Sequence, residues 1–406
     1  MAKYKKALEQ ATKEASPIRS MLDELVLLGA RQMIQQGLEA EITEHLGRQH
    51  YERHEDGQNK HYRNGYGKER RLTLGCGTIP LRVPRLRETF ESAIVGRYQR
   101  LSPQMVALLP ELYLHGLAVG DFQQCFQALL GNEAPLSGSS IVRLKQQWEQ
   151  DYQHWKKRSL DGKYLYVWAD GVYPKAGPKD DQMAVLVIVG LNRHGQKELL
   201  ALEEGYRESA ESWREVFRDL KGRGLRWIGL VIADGVPGLW KAQRDVFPTA
   251  RRQRCLVHKM RNVLDKVPLR AHDEVLQALR EIYHARCKDQ AVTALRSFVS
   301  RYGKLYPKAV ASLKEAGEML FSYFVFPRQH WKSIKSTNVI ESIFAAVKLR
   351  TDAARRIPRR DSALYLVFKL LSTQQLRWKK IHGYKLVAQT IEHLQSTKNS
   401  RLRIAA

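Results

Sequence analysis

Between Pro17 and about His45, the apolar residues Ile18, Met21, Leu22, Leu25, Leu28, Met33, Leu38 and Ile42 recur at helical spacing with charged positions between them. That period predicts an amphipathic helical pair. From Tyr51 to Leu86 the chain is rich in Arg, Gly, His and Tyr, and Arg71-Leu-Thr-Leu runs through Gly75-Cys-Gly-Thr into Ile79-Pro-Leu-Arg-Val. Two short apolar runs around a glycine turn predict a basic β-hairpin. Helical spacing returns from about Pro103 to Arg158, and Gly116 to Lys145 resembles a helix-turn-helix: Phe122 to Leu130, a turn through Gly131 and Pro135, then Ser139 to Trp148 as the helix that would read DNA. The turn is longer than the usual three or four residues, so an ordinary helical hairpin fits the same pattern.

From Lys163 the period shortens. Tyr164 to Ala169, Met183 to Leu191 and Lys197 to Leu202 read as three consecutive strands with short connections, which favours an antiparallel meander. Ser209 to Lys221 reads as a helix, Leu225 to Ala233 as a strand and Leu239 to Val246 as a second helix, a βαβ unit that favours parallel pairing. Residues 258 to about 325 are helical throughout, like an insertion or lid. The expected fold class is therefore α/β in the second half, with a mainly helical and basic N-terminal region. No internal repeat or low-complexity tract interrupts it.

Charge narrows the function classes. Lys and Arg number 68 against 42 Asp and Glu, a net charge of +26, and the excess recurs along all 406 residues. That is the footprint of a polyanion binder, shared by DNA-binding, RNA-processing and membrane-surface proteins. The four cysteines, Cys76, Cys125, Cys255 and Cys287, lie too far apart for a disulfide framework and fit a reducing cytoplasm. The basic start is followed by polar residues rather than a signal-peptide core, and the longest apolar run, Met183 to Leu191, is too short to span a bilayer. The expectation is a cytoplasmic, nucleoid-associated protein with no membrane segment.

Chemistry enters through three acids. Asp170 and Asp234 each end a hydrophobic strand and are each followed by glycine, in Ala169-Asp-Gly-Val-Tyr and Ala233-Asp-Gly-Val-Pro-Gly. A carboxylate just past a buried strand sits at the rim of a sheet, where open α/β folds bind ligands. Two of them on neighbouring strands suit Mg²⁺, which takes oxygen ligands. Asp-Gly is also a common turn dipeptide, so either motif alone is explained by turn chemistry. The third acid, Glu341, lies in Ser336-Thr-Asn-Val-Ile-Glu-Ser-Ile-Phe, where Thr337 or Asn338 can cap a helix whose apolar face is Ile340, Phe344 and Val347. An acid in a first helical turn also satisfies the helix dipole.

Together with Tyr62-Arg-Asn-Gly, Val83-Pro-Arg-Leu-Arg, Leu112-Tyr-Leu-His-Gly and Cys255-Leu-Val-His258 followed by Arg261-Asn262, these motifs fall in the order found in the bacterial Mutator-family insertion-sequence transposases, which the chain resembles over nearly its whole length. Ser342-Ile-Phe after Glu341 departs from the more polar neighbourhood expected there. The resemblance implies a DDE-superfamily enzyme with a ribonuclease-H-like core interrupted by an all-helical insertion. It makes Asp170, Asp234 and Glu341 the catalytic triad, holding two Mg²⁺ or Mn²⁺ ions, and carries Cys255, His258 and Asn338 as supporting residues near the active site. It further implies binding of the element's terminal inverted repeats and of target double-stranded DNA, strand cleavage and transfer, a circular intermediate, and a homodimer or larger assembly.

The regions expected are 1–100 (helical and basic hairpin, DNA-binding), 101–160 (helix-turn-helix-like), 161–256 (first part of the catalytic domain), 257–330 (helical insertion) and 331–406 (catalytic helix and basic tail). Candidate DNA-contacting residues are Arg63, Arg70, Arg71, Arg82, Arg85 and Arg87 around the hairpin, Arg143 and Lys145 on the possible recognition helix, and Arg350, Arg355 and Arg356 after the catalytic helix. Cys255 and His258, with His284 and Cys287 in mirrored spacing, also offer four zinc ligands. Three rivals remain: a tyrosine or serine recombinase, which leaves the spaced acids unexplained; a silent DNA-binding regulator; and a structure-selective nuclease that cuts without joining.

Overall fold

The computed structural model describes residues 17–49, 62–114, 138–176, 183–205, 209–353 and 359–404, with positions 52, 125, 130 and 357. The chain divides into two compact units, residues 1–144 and 145–406.

In the first unit, α1 (Pro17–Leu46) is one continuous helix of 30 residues. This corrects the expected helical pair: no proline or left-handed residue breaks the run, and Gly29 and Gly37 inside it have ordinary helical φ. An interior glycine weakens a helix by only about 1 kcal/mol without ending it. Four short strands follow: β1 (Arg63–Tyr66), β2 (Arg70–Leu74), β3 (Gly77–Leu81) and β4 (Pro84–Leu86). β2 and β3 form the expected hairpin, Leu72 opposite Ile79, and β1 pairs antiparallel with β4. Leu72, Ile79, Leu81 and Val95 close a small core with Leu38 of α1. α2 (Pro103–Leu114) completes what is described before α3 (Gly138–Lys156). The first helix and turn of the expected helix-turn-helix lie outside the described residues apart from positions 125 and 130. The division between the units falls inside α3, within the region 101–160.

The second unit is built on a five-stranded mixed sheet in the order β7-β6-β5-β8-β9, from β5 (Lys163–Val172), β6 (Ala184–Asn192), β7 (Lys197–Gly205), β8 (Trp227–Ala233) and β9 (Arg251–Arg254). β5, β6 and β7 form the antiparallel meander, while β8 and β9 run parallel to β5. All nine residues of β6 are buried, so both sheet faces must be covered. One face packs on α4 (Ala210–Gly222) and α5 (Pro237–Val246), through Trp213, Phe217, Leu220, Leu239 and Ala242. Ser209 starts α4 by accepting the Ser212 N–H on its side chain at 3.2 Å.

After β9 the chain is helical: α6 (Leu256–Leu264), α7 (His272–Tyr283), α8 (Lys288–Tyr302) and α9 (Pro307–Glu315), then short 3₁₀ turns. α10 (Asn338–Ala353), α11 (Arg360–Gln375) and α12 (Val387–Ile404) close the unit. α10 packs against β5 and α11 against β7. Tyr166 and Trp168 of β5 point to the face opposite α4, where the Tyr166 hydroxyl lies 2.6 Å from His330 Nδ1 and Trp168 donates to the Ser333 carbonyl at 3.1 Å. β9, Arg-Arg-Gln-Arg, is an edge strand whose charged sequence gave no strand signal.

Candidate active site at the rim of the sheet

The parallel register of β5 and β8 pairs Val167 with Val231 and Trp168 with Ile232. Extended two residues, it sets Asp170 beside Asp234; Asp234 follows the last residue of β8, whereas β5 runs on through Asp170 to Val172 because Asp170, Gly171 and Val172 still pair with β6, which corrects the expectation that the strand ends at Asp170. Strand side chains alternate, so Asp170 shares the face of Trp168 and Tyr166, the face on which α10 packs. Each carboxylate is oriented by a backbone N–H that follows it: Asp170 Oδ1 accepts the Gly171 N–H at 2.8 Å within β5, and Asp234 Oδ1 accepts the Val236 N–H at 3.3 Å in the loop after β8.

The same register carries one strand further. Ala233 pairs with Arg254, so Cys255 stands next to Asp234, its N–H donating to the Ala233 carbonyl at 2.8 Å. Cys255 is fully buried and caps α6, its Sγ accepting the His258 N–H at 3.5 Å. The Leu256 N–H donates to the Lys335 carbonyl at 2.9 Å, which ties the start of α6 to the segment leading into α10. That segment delivers Glu341 in the first turn of α10, with Ile340, Phe344 and Val347 buried beneath it as their spacing predicted.

Glu341 Oε1 lies 3.8 Å from His258 Nδ1 and accepts the Thr337 hydroxyl at 2.6 Å. Among the described residues, the group of metal-capable side chains whose ligand atoms gather within 4.8 Å of one another is Cys255, His258 and Glu341. Sulfur, nitrogen and oxygen are a plausible zinc set in type. Here, however, all three atoms surround Thr337 Oγ1 at 3.2, 3.2 and 2.6 Å, so they converge on a hydroxyl rather than on an open position. His284 and Cys287 are exposed and stand outside the group, so the four-ligand zinc set is not assembled.

The electrostatics follow from this packing. A hydrogen bond with Cys255, and then the charges of Cys255, Glu341 and Asp234, hold the His258 imidazole above its ordinary pKa against the opposing effect of burial. Burial pushes the Cys255 thiol up, but hydrogen bonds from His258 and Thr337 outweigh it and leave it below the ordinary thiol value. Arg254, nearly buried, is lowered by desolvation and supported by the negative charge of Asp234. Its guanidinium lies against Gly235, whose φ of 104° and missing Cβ allow that approach.

Asn338 is exposed at the start of α10. Of the candidate DNA-contacting arginines, Arg63 is bound to Glu39, and Arg70 donates to the carbonyls of Gly96 at 3.1 Å and Arg97 at 2.6 Å; both hold the first unit together. Arg71, Arg82, Arg85 and Arg87 are exposed, with Arg87 over the Tyr62 ring and Arg82 within 3.5 Å of Glu69. Arg350 is buried inside the second unit, 4% exposed. The side chains of Arg143 and Lys145 and the whole of Arg355 and Arg356 lie outside the described residues. Arg254 was not singled out from the sequence, Gly235 only as the glycine that follows Asp234, and Thr337 only as a helix cap. The signal for Thr337 was its place four residues before Glu341, one helical turn away.

Among the described residues, no helix is long and apolar enough to cross a membrane. The family described as "Transposase, Mutator family" matches residues 1–381. The transposase for insertion sequence element IS6120 of Mycolicibacterium smegmatis is 41% identical over 285 residues, 70% of this chain and 88% of that protein. The transposase for ISRM5 of Rhizobium meliloti (strain 1021) is 34% identical over 381 residues, 93% of each chain. That for IS256 in transposon Tn4001 of Staphylococcus aureus is 31% identical over 347 residues, 84% of this chain and 87% of that protein. A match that runs through both units and through all three acids leaves one assignment: the chain belongs to the Mutator family of transposases, enzymes of insertion sequences that act on DNA.

Proposed function

We propose that this transposase is of the DDE type, with Asp170, Asp234 and Glu341 as its catalytic carboxylates on a ribonuclease-H-like core and residues 257–330 as a helical insertion. The observation that carries the reading is the register of β5 and β8, which sets Asp170, inside β5, beside Asp234, just past β8, on a sheet against which the helix that bears Glu341 packs. The donor set suits hard divalent cations in type: three half-buried carboxylates, two of them preoriented by backbone N–H groups. When bound, two Mg²⁺ or Mn²⁺ ions supply an activated water or 3′-hydroxyl and stabilise the leaving oxygen of an in-line displacement.

The protein's part is to hold the carboxylates and the DNA. Asp170 and Asp234 are fixed by strand pairing, whereas Glu341 arrives on a helix and owes its position to Thr337 and His258. The Arg254 guanidinium offsets the charge of Asp234 and keeps its loop closed over Gly235. Exposed Arg71, Arg82, Arg85 and Arg87 offer a basic surface for phosphates in the first unit, which positions DNA without reading its sequence. Binding of terminal inverted repeats, pairing of two ends by at least a dimer, and a circular intermediate complete the reading by family likeness.

The test is strand transfer of labelled element-end DNA into plasmid with Mg²⁺ or Mn²⁺, comparing wild type with Asp234→Asn. Joining by wild type, and its loss by roughly 10³-fold or more in a variant that still binds DNA, is the expected outcome. Cutting without joining would make the protein a nuclease, and binding without either would make it a regulator.

A further inference from the structure

Thr337 is fully buried at the entrance to α10, and its hydroxyl stands among three site side chains: 2.6 Å from Glu341 Oε1, 3.2 Å from Cys255 Sγ and 3.2 Å from His258 Nδ1. A hydroxyl has one proton to give and two lone pairs to offer. The carboxylate is the closest neighbour, at the distance of a charge-assisted O–H···O⁻ bond, so the proton goes to Glu341. The hydroxyl is also within donor reach of Cys255 Sγ, and a lone pair faces His258 Nδ1, while Cys255 Sγ accepts the backbone N–H groups of His258 at 3.5 Å and Thr337 at 3.3 Å. Cys255 Sγ, His258 Nδ1 and Glu341 Oε1 all meet at this one hydroxyl. Helix capping is a separate function: the first-turn N–H groups of Ile340 and Glu341 go to the Thr337 carbonyl, at 2.9 and 3.0 Å, and not to its hydroxyl.

We propose that Thr337 is the positioning residue for Glu341: its hydroxyl transmits the placement of Cys255 and His258, fixed to the edge of the sheet, to the carboxylate that comes from a remote helix. The inference rests on the reading of Glu341 as a metal-binding carboxylate. Its physical basis is a difference between the three acids. The two aspartates are located by the paired strand β5 and by the loop that leaves β8, whereas Glu341 stands in the first turn of a helix that packs against β5. A glutamate has three rotatable bonds, and one short bond from a buried hydroxyl removes most of that freedom. Cys255 is held by the Ala233 carbonyl, the strand end that leads into Asp234, so the network references Glu341 to the same backbone that places the second aspartate.

The experiment compares Thr337→Val, which keeps the shape and removes the hydroxyl, with Thr337→Ser, which keeps the hydroxyl. Mn²⁺ binding is measured by electron paramagnetic resonance of the free ion, beside strand transfer, DNA affinity and melting temperature without metal. The expected result is that Thr337→Val binds DNA and melts close to wild type, yet loses about 10–100-fold in Mn²⁺ affinity and joining rate, and that Thr337→Ser recovers most of both. If the valine variant does not fold, Thr337→Ala against Thr337→Ser makes the same comparison. Unchanged Mn²⁺ binding in the valine variant overturns the proposal, as does equal loss in valine and serine variants, which would assign the effect to packing of the methyl group. Glu341→Gln separates the two readings: if it abolishes Mn²⁺ binding while Thr337→Val does not, only the role of Thr337 fails, and if it leaves binding and joining intact, the metal reading of Glu341 fails and the inference with it.

Discussion

Replacing Gly235 by alanine isolates the contact that closes the loop after Asp234. Gly235 has φ 104°, and a Cβ built there falls on the buried Arg254 guanidinium. An L-residue held in such a backbone conformation costs about 1–3 kcal/mol, and forcing a packed side chain aside costs roughly a further 1–3 kcal/mol. The sum, roughly 2–6 kcal/mol, corresponds to a melting-temperature loss of roughly 4–24 °C for a unit of this size. Joining falls as well, because Asp234 is oriented by the Val236 N–H across this glycine. Gly222 at the end of α4 is the control: nothing lies within 4 Å of its Cβ position, and alanine there is neutral or stabilising by about 0.4–1 kcal/mol. Scanning calorimetry and strand transfer read both effects. In an Arg254→Ala background the overlap disappears and only the backbone part of the Gly235→Ala cost remains. A Gly235→Ala protein that melts with the Gly222→Ala control and joins at the wild-type rate would refute the argument.

Three further outcomes follow from the described contacts. Arg70→Ala destabilises the first unit by about 1.5–3 kcal/mol, because a charged donor leaves the Gly96 and Arg97 carbonyls. Arg85→Ala leaves the melting temperature unchanged and instead weakens DNA binding, lowering the slope of log affinity against log salt by about one, as fluorescence anisotropy across a salt series reads. The fully buried His330 has its pKa lowered, by desolvation first, with its Nε2 2.9 Å from the Gly383 carbonyl. A depressed folded-state pKa means that the unfolded chain binds more protons between the two values. The stabilisation is therefore complete above the ordinary histidine pKa of about 6.5 and is lost as pH falls through the lower folded-state value. Melting temperature should drop from pH 7.5 toward pH 5, less steeply in His330→Asn, and a histidine resonance that titrates above 6.5 at this position would contradict it.

Particular elements show where local sequence was sufficient. β6 has no polar side chain from Ala184 to Leu191, α4 places Trp213, Phe217 and Leu220 one turn apart behind a serine cap, and Ile340, Phe344 and Val347 line one face of α10, so burial period and type agree. β9 failed that test. Its four residues are polar, and what makes them a strand is pairing with β8 and the bonds of Gln253 to the Leu320 carbonyl at 3.3 Å and from the Tyr323 N–H at 2.9 Å, partners about 70 residues away. The arginines divided for a related reason. Charge alone marks Arg63, Arg70, Arg85 and Arg350 alike, but whether a guanidinium reaches solvent or an internal acceptor depends on what folds over it.

The sequence by itself determined the polyanion-binding charge, the meander and βαβ order, and the three acids, because each is written in residue type, local period or motif order. Only the tertiary structure decided that Asp170, Asp234 and Cys255 stand abreast, that α1 is a single helix, and that the Thr337 hydroxyl lies within hydrogen-bond reach of Cys255, His258 and Glu341. Strand register and helix docking are set by contacts between residues far apart in the chain, and such contacts leave no periodic trace in the segments that make them.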